Sequence, residues 1–321
     1  MTTLTTVFLS GGVLAVFSGC VLYKRGRTWR IVTALVVWLV ALISLTGGGY
    51  SYWYHHRPHP APIQKELFEG VTYIREIHMS PRPNVVHIVT VALDTPDIRF
   101  LVTPSKPIEE RQLPARTTSQ FLQEFRVQLA INAGFFDPFS IQWPLYYPHT
   151  GDPVDVYGLT VSQGQHYSPP KTPYTPLYLT QDNRASIGQP LENPYNVISG
   201  LPVFVKEGKA LRKLDRQKQP YRPNPRTAIA LDKSQCQLML FVVDGRQPNY
   251  SEGMTLPELA RIVLKYGGYT ALNLDGGGSS TLVIEGPNGE SVILNSPIHL
   301  RVPPGRERPI ANHLGIFAKR K

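Results

Sequence analysis

Cysteine is nearly absent: Cys20 and Cys236 are the only two in 321 residues. The first lies in an apolar segment and the second in an expected strand, so no disulfide is predicted and cysteine does not report the redox compartment. HExxH, CxxC and EF-hand spacings are also missing. That excludes the metal sites built on those patterns and leaves any metal to be held by carboxylates. No internal repeat is present, and no Ser–His–Asp order reads as a nucleophilic relay; His313 is isolated and reads as structural. The formal net charge is +10, but Lys24, Arg25, Arg27 and Arg30 fall in one short run. The remainder is mildly basic. It has no Lys/Arg block interleaved with aromatics, so nucleic acid is not an expected partner.

What the chain does have is proline, glycine and apolar length. With 30 Pro, 26 Gly and 42% hydrophobic residues it is turn-rich and able to bury a sizeable core. These are marks of a strand-heavy fold. Residues 4–23 carry no charge, and residues 31–50 form a second apolar run followed by Tyr50, Tyr52, Trp53 and Tyr54. A bilayer span takes about 20 residues, and an aromatic belt marks its interface. The basic run between the two spans places that loop in the cytoplasm by the positive-inside rule, and the rest of the chain outside. The expected organisation is a two-span membrane anchor over 1–54, a Pro-rich linker over 55–69 and one domain over 70–321. The linker's His55, His56 and His59 read as part of a solvated spacer.

Along that domain, β-branched runs at Val71–Met79, Val85–Leu93 and Ile98–Val102 predict strands. Thr117 and Gln120 form a capping-box start to a short helix ending near Phe125. Residues 138–176 are a long Pro/Tyr-rich excursion, of the kind that either walls a site or is mobile. Arg226–Leu231 and Gln237–Asp244 predict a hairpin. Thr255 and Glu258 predict a second capped helix, ended by Gly267, and Thr270–Asp275 a following strand. Strand, helix and strand with short links predict a βαβ unit with parallel strands.

The stretch around which the chain is organised is Thr270–Val283, in which a strand stops at Asp275 before Gly276, Gly277, Gly278, Ser279 and Ser280. Such a turn can expose successive N–H groups as an anion-binding nest. Asp244 and Asp275 end strands expected to run the same way, so both emerge at one sheet edge, where α/β sheets place ligands. One or two strand spacings of about 4.8 Å separate them, near the roughly 5 to 9.5 Å used by paired carboxylates in glycoside hydrolysis. Hairpin geometry brings Arg226 to the same edge. There it serves either as a phosphate clamp or as a structural partner of Asp244. A nest favours an anion and two carboxylates oppose one; Arg226, Arg246, Arg308 or a divalent cation would offset that repulsion.

Six segments in order carry a family resemblance: Ile131–Phe136, Ile198–Gly200, Pro225–Ala228, Val243–Arg246, Leu256–Ala260 and Asn273–Ser279. Over about residues 70 to 318 the chain resembles the phosphodiester glycosidase family. That resemblance implies hydrolysis of a sugar-1-phosphodiester at the glycosidic carbon. It maps Asn132, Arg226, Asp244, Asp275, Gly277 and Ser279 to the site. The N-terminal membrane hairpin and the lack of a cysteine-rich tail set the chain apart from vertebrate relatives and point to an envelope polymer or exopolysaccharide as substrate.

The resulting expectation is an α+β protein. A twisted mixed β-sheet with few flanking helices and a C-terminal βαβ unit is preceded by two transmembrane helices in the cell membrane, with the domain extracytoplasmic. Its function is that of a glycosidase on a phosphate-linked glycan, with no cofactor required by the sequence. Asp275 is the essential carboxylate and Asp244 the second. Asn132, Arg226, Arg246, Arg308, Ser279 and the amides of Gly276, Gly277 and Gly278 bind substrate. A metal-dependent phosphodiesterase and a non-catalytic glycan-binding or polysaccharide-assembly module are the competing readings.

Overall fold

The computed structural model describes residues 27–138, 148–211, 219–299 and 303–321. The chain divides into two units, Met1–Pro58 with Pro248–Tyr250 and His59–Gln247 with Ser251–Lys321. In the first, Arg27–His55 is an α-helix. Its Ile31–His55 portion, at mean hydropathy 2.3, is long and apolar enough to serve as a membrane span or a signal sequence. It is the one such helix among the described residues. The other expected span, residues 4–23, lies outside them.

The second unit is built mostly of strands. Its largest sheet has eight, in the order Ile63–Phe68, Val71–His78, Asn84–Ala92, Gln237–Val243, Arg226–Asp232, Gly268–Asn273, Val203–Lys206 and Lys209–Ala210. Two five-stranded sheets and a three-stranded sheet complete it. Three expectations are corrected. The Ile63–Phe68 strand falls where the linker was placed. Among the described residues there are four sheets instead of one, and every pairing between named strands is antiparallel, so the sheet is not mixed. The expected βαβ unit is split. Gln237–Val243 and Gly268–Asn273 do run parallel, but Arg226–Asp232 lies between them and is antiparallel to both. The local pattern of strand, helix, strand is unchanged by an inserted strand, so the sequence alone does not reveal it.

Side-chain alternation decides which way each strand faces. Val89, Val91, Ile229, Leu231, Leu238, Leu240, Val242 and Leu272 enter the main core. There they meet Leu177, Leu179 and Ile198 of one five-stranded sheet and Leu129, Ile131 and Leu314 of the other. The alternate positions Val86, Ile88, Ala228, Ala230, Met239, Phe241, Val243 and Ala271 form a second core under the Leu256–Lys265 helix. That helix begins with the expected capping box, Thr255 with Glu258, and buries Leu256, Leu259, Ala260, Ile262 and Val263. Each large side chain among these contributes about 1.5–3 kcal/mol on burial. The shorter Thr118–Phe125 helix carries its own capping box through Thr117 and Gln120.

Candidate active site

Asp275 stands where the eight-stranded sheet meets the sheet containing Leu129–Asn132. Leu274 still donates its N–H to the Thr227 carbonyl, but one residue later the Asp275 N–H donates to Ala133, at 3.0 Å. Asn132 welds this crossover. Its Nδ2 donates to the Asp275 carbonyl at 2.6 Å, and its Oδ1 accepts from Thr227 Oγ1 at 2.7 Å and from the Thr281 N–H at 3.1 Å. It is wholly buried. Expected among the substrate ligands, Asn132 instead holds the backbone that carries Asp275.

After Asp275 the chain turns through the short 3-10 helix Gly277–Ser279. Gly276 donates its N–H to the Asp275 carboxylate at 2.9 Å, and Gly277 donates its own to the Pro225 carbonyl at 2.9 Å. Two of the three glycine amides expected in an anion nest are therefore committed within the protein. The glycines serve a different purpose, which is close approach. Gly277 has φ +63, and a Cβ there would stand 2.9 Å from Nη2 of Arg246. At Gly278 a Cβ would stand 2.4 Å from Nη2 of Arg308. Only residues without a side chain let two guanidinium groups lie against the turn.

Charge follows from this packing. Burial pushes the Asp275 carboxyl above the usual range, opposed by the Ser279 side chain, the Arg308 charge, the Gly276 N–H and the Arg246 charge. Ser279 is itself buried. Arg308 donates Nε to Nδ1 of His299 at 3.2 Å. Burial, then the Arg308 and Arg306 charges, hold the His299 imidazole down at about 4, so it stays neutral and can accept that bond. Arg246 is exposed and donates Nε and Nη2 to Asn224 at 3.3 Å.

Asp244 and Arg226 occupy the expected sheet edge but not a shared cleft. Arg226 pairs directly with Val243. Directly paired residues share a face, so Asp244 points to the opposite one. Arg226 accordingly lies on the helix side, donating to the carbonyls of Met254 at 3.0 Å and Arg222 at 2.8 Å. Burial and the Arg246 charge lower its pKa to about 10. The Asp244 carboxylate is wholly buried. It accepts from Asn295 Nδ2 at 3.0 Å and the Ser296 N–H at 2.8 Å, and meets His87 Nε2 at 3.3 Å. His87 in turn contacts the Tyr73 hydroxyl at 2.8 Å. This is a buried, hydrogen-bonded network.

Asp275, Ser279, Arg246 and Arg308 are thus brought together, while Asn132 and Asp244 are anchors behind them. Among the described residues no group of three or more His, Cys, Asp or Glu is placed to hold a metal ion. Sequence reasoning missed His87, Asn295, Ser296 and His299. None sits in a motif; His87, Asn295 and Ser296 meet Asp244 through the tertiary fold, and His299 meets Arg308 across a loop.

The glycine turn thus brings a half-buried carboxylate and two guanidinium groups together on an α+β scaffold. The chain belongs to the phosphodiester glycosidase family, whose model matches residues 125–317. No curated protein matches it. Among solved structures it is similar to a hypothetical protein from Synechocystis (TM-score 0.61, 16% identity), covering 81% of this chain and 64% of that one. It thus spans under two thirds of that relative. It is also similar to the catalytic domain of zebrafish N-acetylglucosamine-1-phosphodiester alpha-N-acetylglucosaminidase, described as auto-inhibited by its pro-peptide (TM-score 0.55, 22% identity, covering 83% of this chain and 86% of that one). At these identities the likeness is one of fold.

Proposed function

We propose that this protein is a membrane-anchored, extracytoplasmic hydrolase that cleaves the glycosidic bond of sugar-1-phosphodiesters in envelope or exopolysaccharide glycans. The observation that carries the reading is the glycine turn, which packs Arg246 against Gly277 and Arg308 against Gly278 so that both charges act on Asp275. Hydrolysis breaks the C1–O bond: water adds its hydroxyl to the sugar carbon, and the phosphodiester leaves as a phosphate monoester. A phosphate is a weak base and departs with little protonation, so one carboxylate is enough. Asp275 activates the water or attacks C1, and Arg246 and Arg308 receive the charge that develops on the leaving phosphate. Asp244 acts only through the fold, by holding the Asn295–Ser296 loop.

Incubating the full-length protein with a panel of sugar-1-phosphodiesters in ¹⁸O-labelled water tests this directly. The label should appear in the released sugar. Label in the phosphate would mean P–O cleavage and a phosphodiesterase, and intact ligand bound without turnover would mean a binding module. The membrane placement rests on the Ile31–His55 helix and on the basic run before it. External protease should remove the domain from intact spheroplasts; a protected domain refutes the orientation.

A further inference from the structure

Three aromatic side chains beside Asp275 take no part in the chemistry just described. Phe135 lies two residues beyond Ala133, whose carbonyl accepts the Asp275 N–H. Its own carbonyl accepts the Tyr157 N–H at 2.8 Å. The Phe135 and Tyr174 ring centroids are 5.8 Å apart, and those of Tyr174 and Tyr157 are also 5.8 Å apart, with planes tilted by 59° and 31°. Gly158, at φ +86, makes the row possible, because a Cβ there would stand 2.9 Å from the Cβ of Tyr174. All three rings are half-buried, and none belongs to an apolar core cluster of the described residues.

The row has polar company. Burial, then the Asp137 carboxylate acting as charge and as hydrogen-bond acceptor, raise the Tyr157 phenol. Asp137 is also met by Nη1 of Arg111 at 3.5 Å. Lys171 places Nζ over the Tyr157 ring, 4.0 Å from its centroid. At the middle ring, burial, the Tyr157 phenol and the Asp275 charge raise the Tyr174 phenol. The row therefore meets the field of the site carboxylate at Tyr174 and ends, at Tyr157, beside a carboxylate and an ammonium.

We propose that Phe135, Tyr174 and Tyr157 form a glycan-binding trough that takes at least two consecutive pyranose rings, the one bearing the scissile bond on Tyr174 and the next on Tyr157. This rests on the glycosidase reading. A pyranose offers C–H groups from its faces and hydroxyls from its rim. Half-buried aromatic rings suit the first, on Tyr157 at the face that Lys171 does not cover, and Asp137 with Lys171 suits the second. Successive centroids are about one sugar ring apart, so the row matches a chain of sugars better than a single unit.

The test compares α-1-phosphodiesters of one alcohol carrying either one or two sugar rings, using the full-length protein in detergent. Tyr157→Ala should raise KM for the two-ring substrate about tenfold, leave its kcat nearly unchanged and leave the one-ring substrate unaffected; Tyr157→Phe should retain most affinity. If Tyr157→Ala melts below the assay temperature, Tyr157→Leu keeps side-chain volume while removing the ring. Equal effects on both substrates, or none on either, overturn the trough. Should the protein turn over neither substrate, the glycosidase reading fails separately. Calorimetric titration with the two-ring phosphodiester then decides the trough: binding weakened about tenfold by Tyr157→Ala supports it, and unchanged binding or no binding by the unsubstituted protein overturns it.

Discussion

Arg308 lies so close to Gly278 that a Cβ there would stand 2.4 Å from its Nη2 and 2.6 Å from its Cζ. Gly278→Ala must therefore displace a buried guanidinium held by His299. Displacement of about 1 Å at a reacting site costs on the order of 10²-fold in rate. The expected result is a loss of about that size in kcat/KM on sugar-1-phosphodiesters, with the fold retained by circular dichroism. Full activity in this variant would remove Arg308 from the mechanism.

Asp275→Asn is expected to lower turnover by about 10²- to 10⁴-fold, the range for loss of a positioned acid–base group. Stability should move the other way. Burial raises the Asp275 carboxyl, so its charged form costs stability above that raised value. The group's favourable contribution is fully present below the ordinary carboxylate range and is lost as pH rises through the folded pKa. The variant should then melt no lower than the unsubstituted protein at neutral pH, and any advantage should shrink in acid. The acid limb of kcat/KM should likewise lie above the ordinary Asp value. A variant that melts much lower at neutral pH would make Asp275 a structural residue.

Arg246 is exposed, and its guanidinium rests on Gly277. Arg246→Ala should cost about 10- to 10³-fold in kcat/KM on phosphodiesters, as expected for one donor to a developing anion. It should have little effect on aryl glycosides, which lack the phosphate, and thermal melting should be nearly unchanged. Equal damage to both substrate types would mean that the arginine does not contact the leaving phosphate.

Asp244→Ala removes a buried acceptor from Asn295, Ser296 and His87. Buried donors left without a partner cost about 1–3 kcal/mol, so chemical denaturation should show a loss of at least that size. On the fraction that remains folded, kcat should stay within a few-fold of normal. A stable variant with abolished turnover would return Asp244 to the chemistry.

Local pattern determined a great deal of this. Both capping boxes, the strands beginning near Val71 and Asn84, the Arg226–Val243 hairpin and the turn at Asp275 depend on neighbours in sequence, and neighbours are what a sequence displays. The common edge of Asp244 and Asp275 was also legible, because parallel direction survives an inserted strand. Only the tertiary structure decided which of those residues share a site. A one-residue offset in hairpin register sends Asp244 and Arg226 to opposite faces, and no composition or spacing records that offset. Likewise Asn132 meets both Asp275 and Thr281 across the junction of two sheets, and Arg308 reaches Gly278 from 30 residues along the chain. These contacts arise from strand order, which is chosen by burial of both sheet faces at once and not by any single segment.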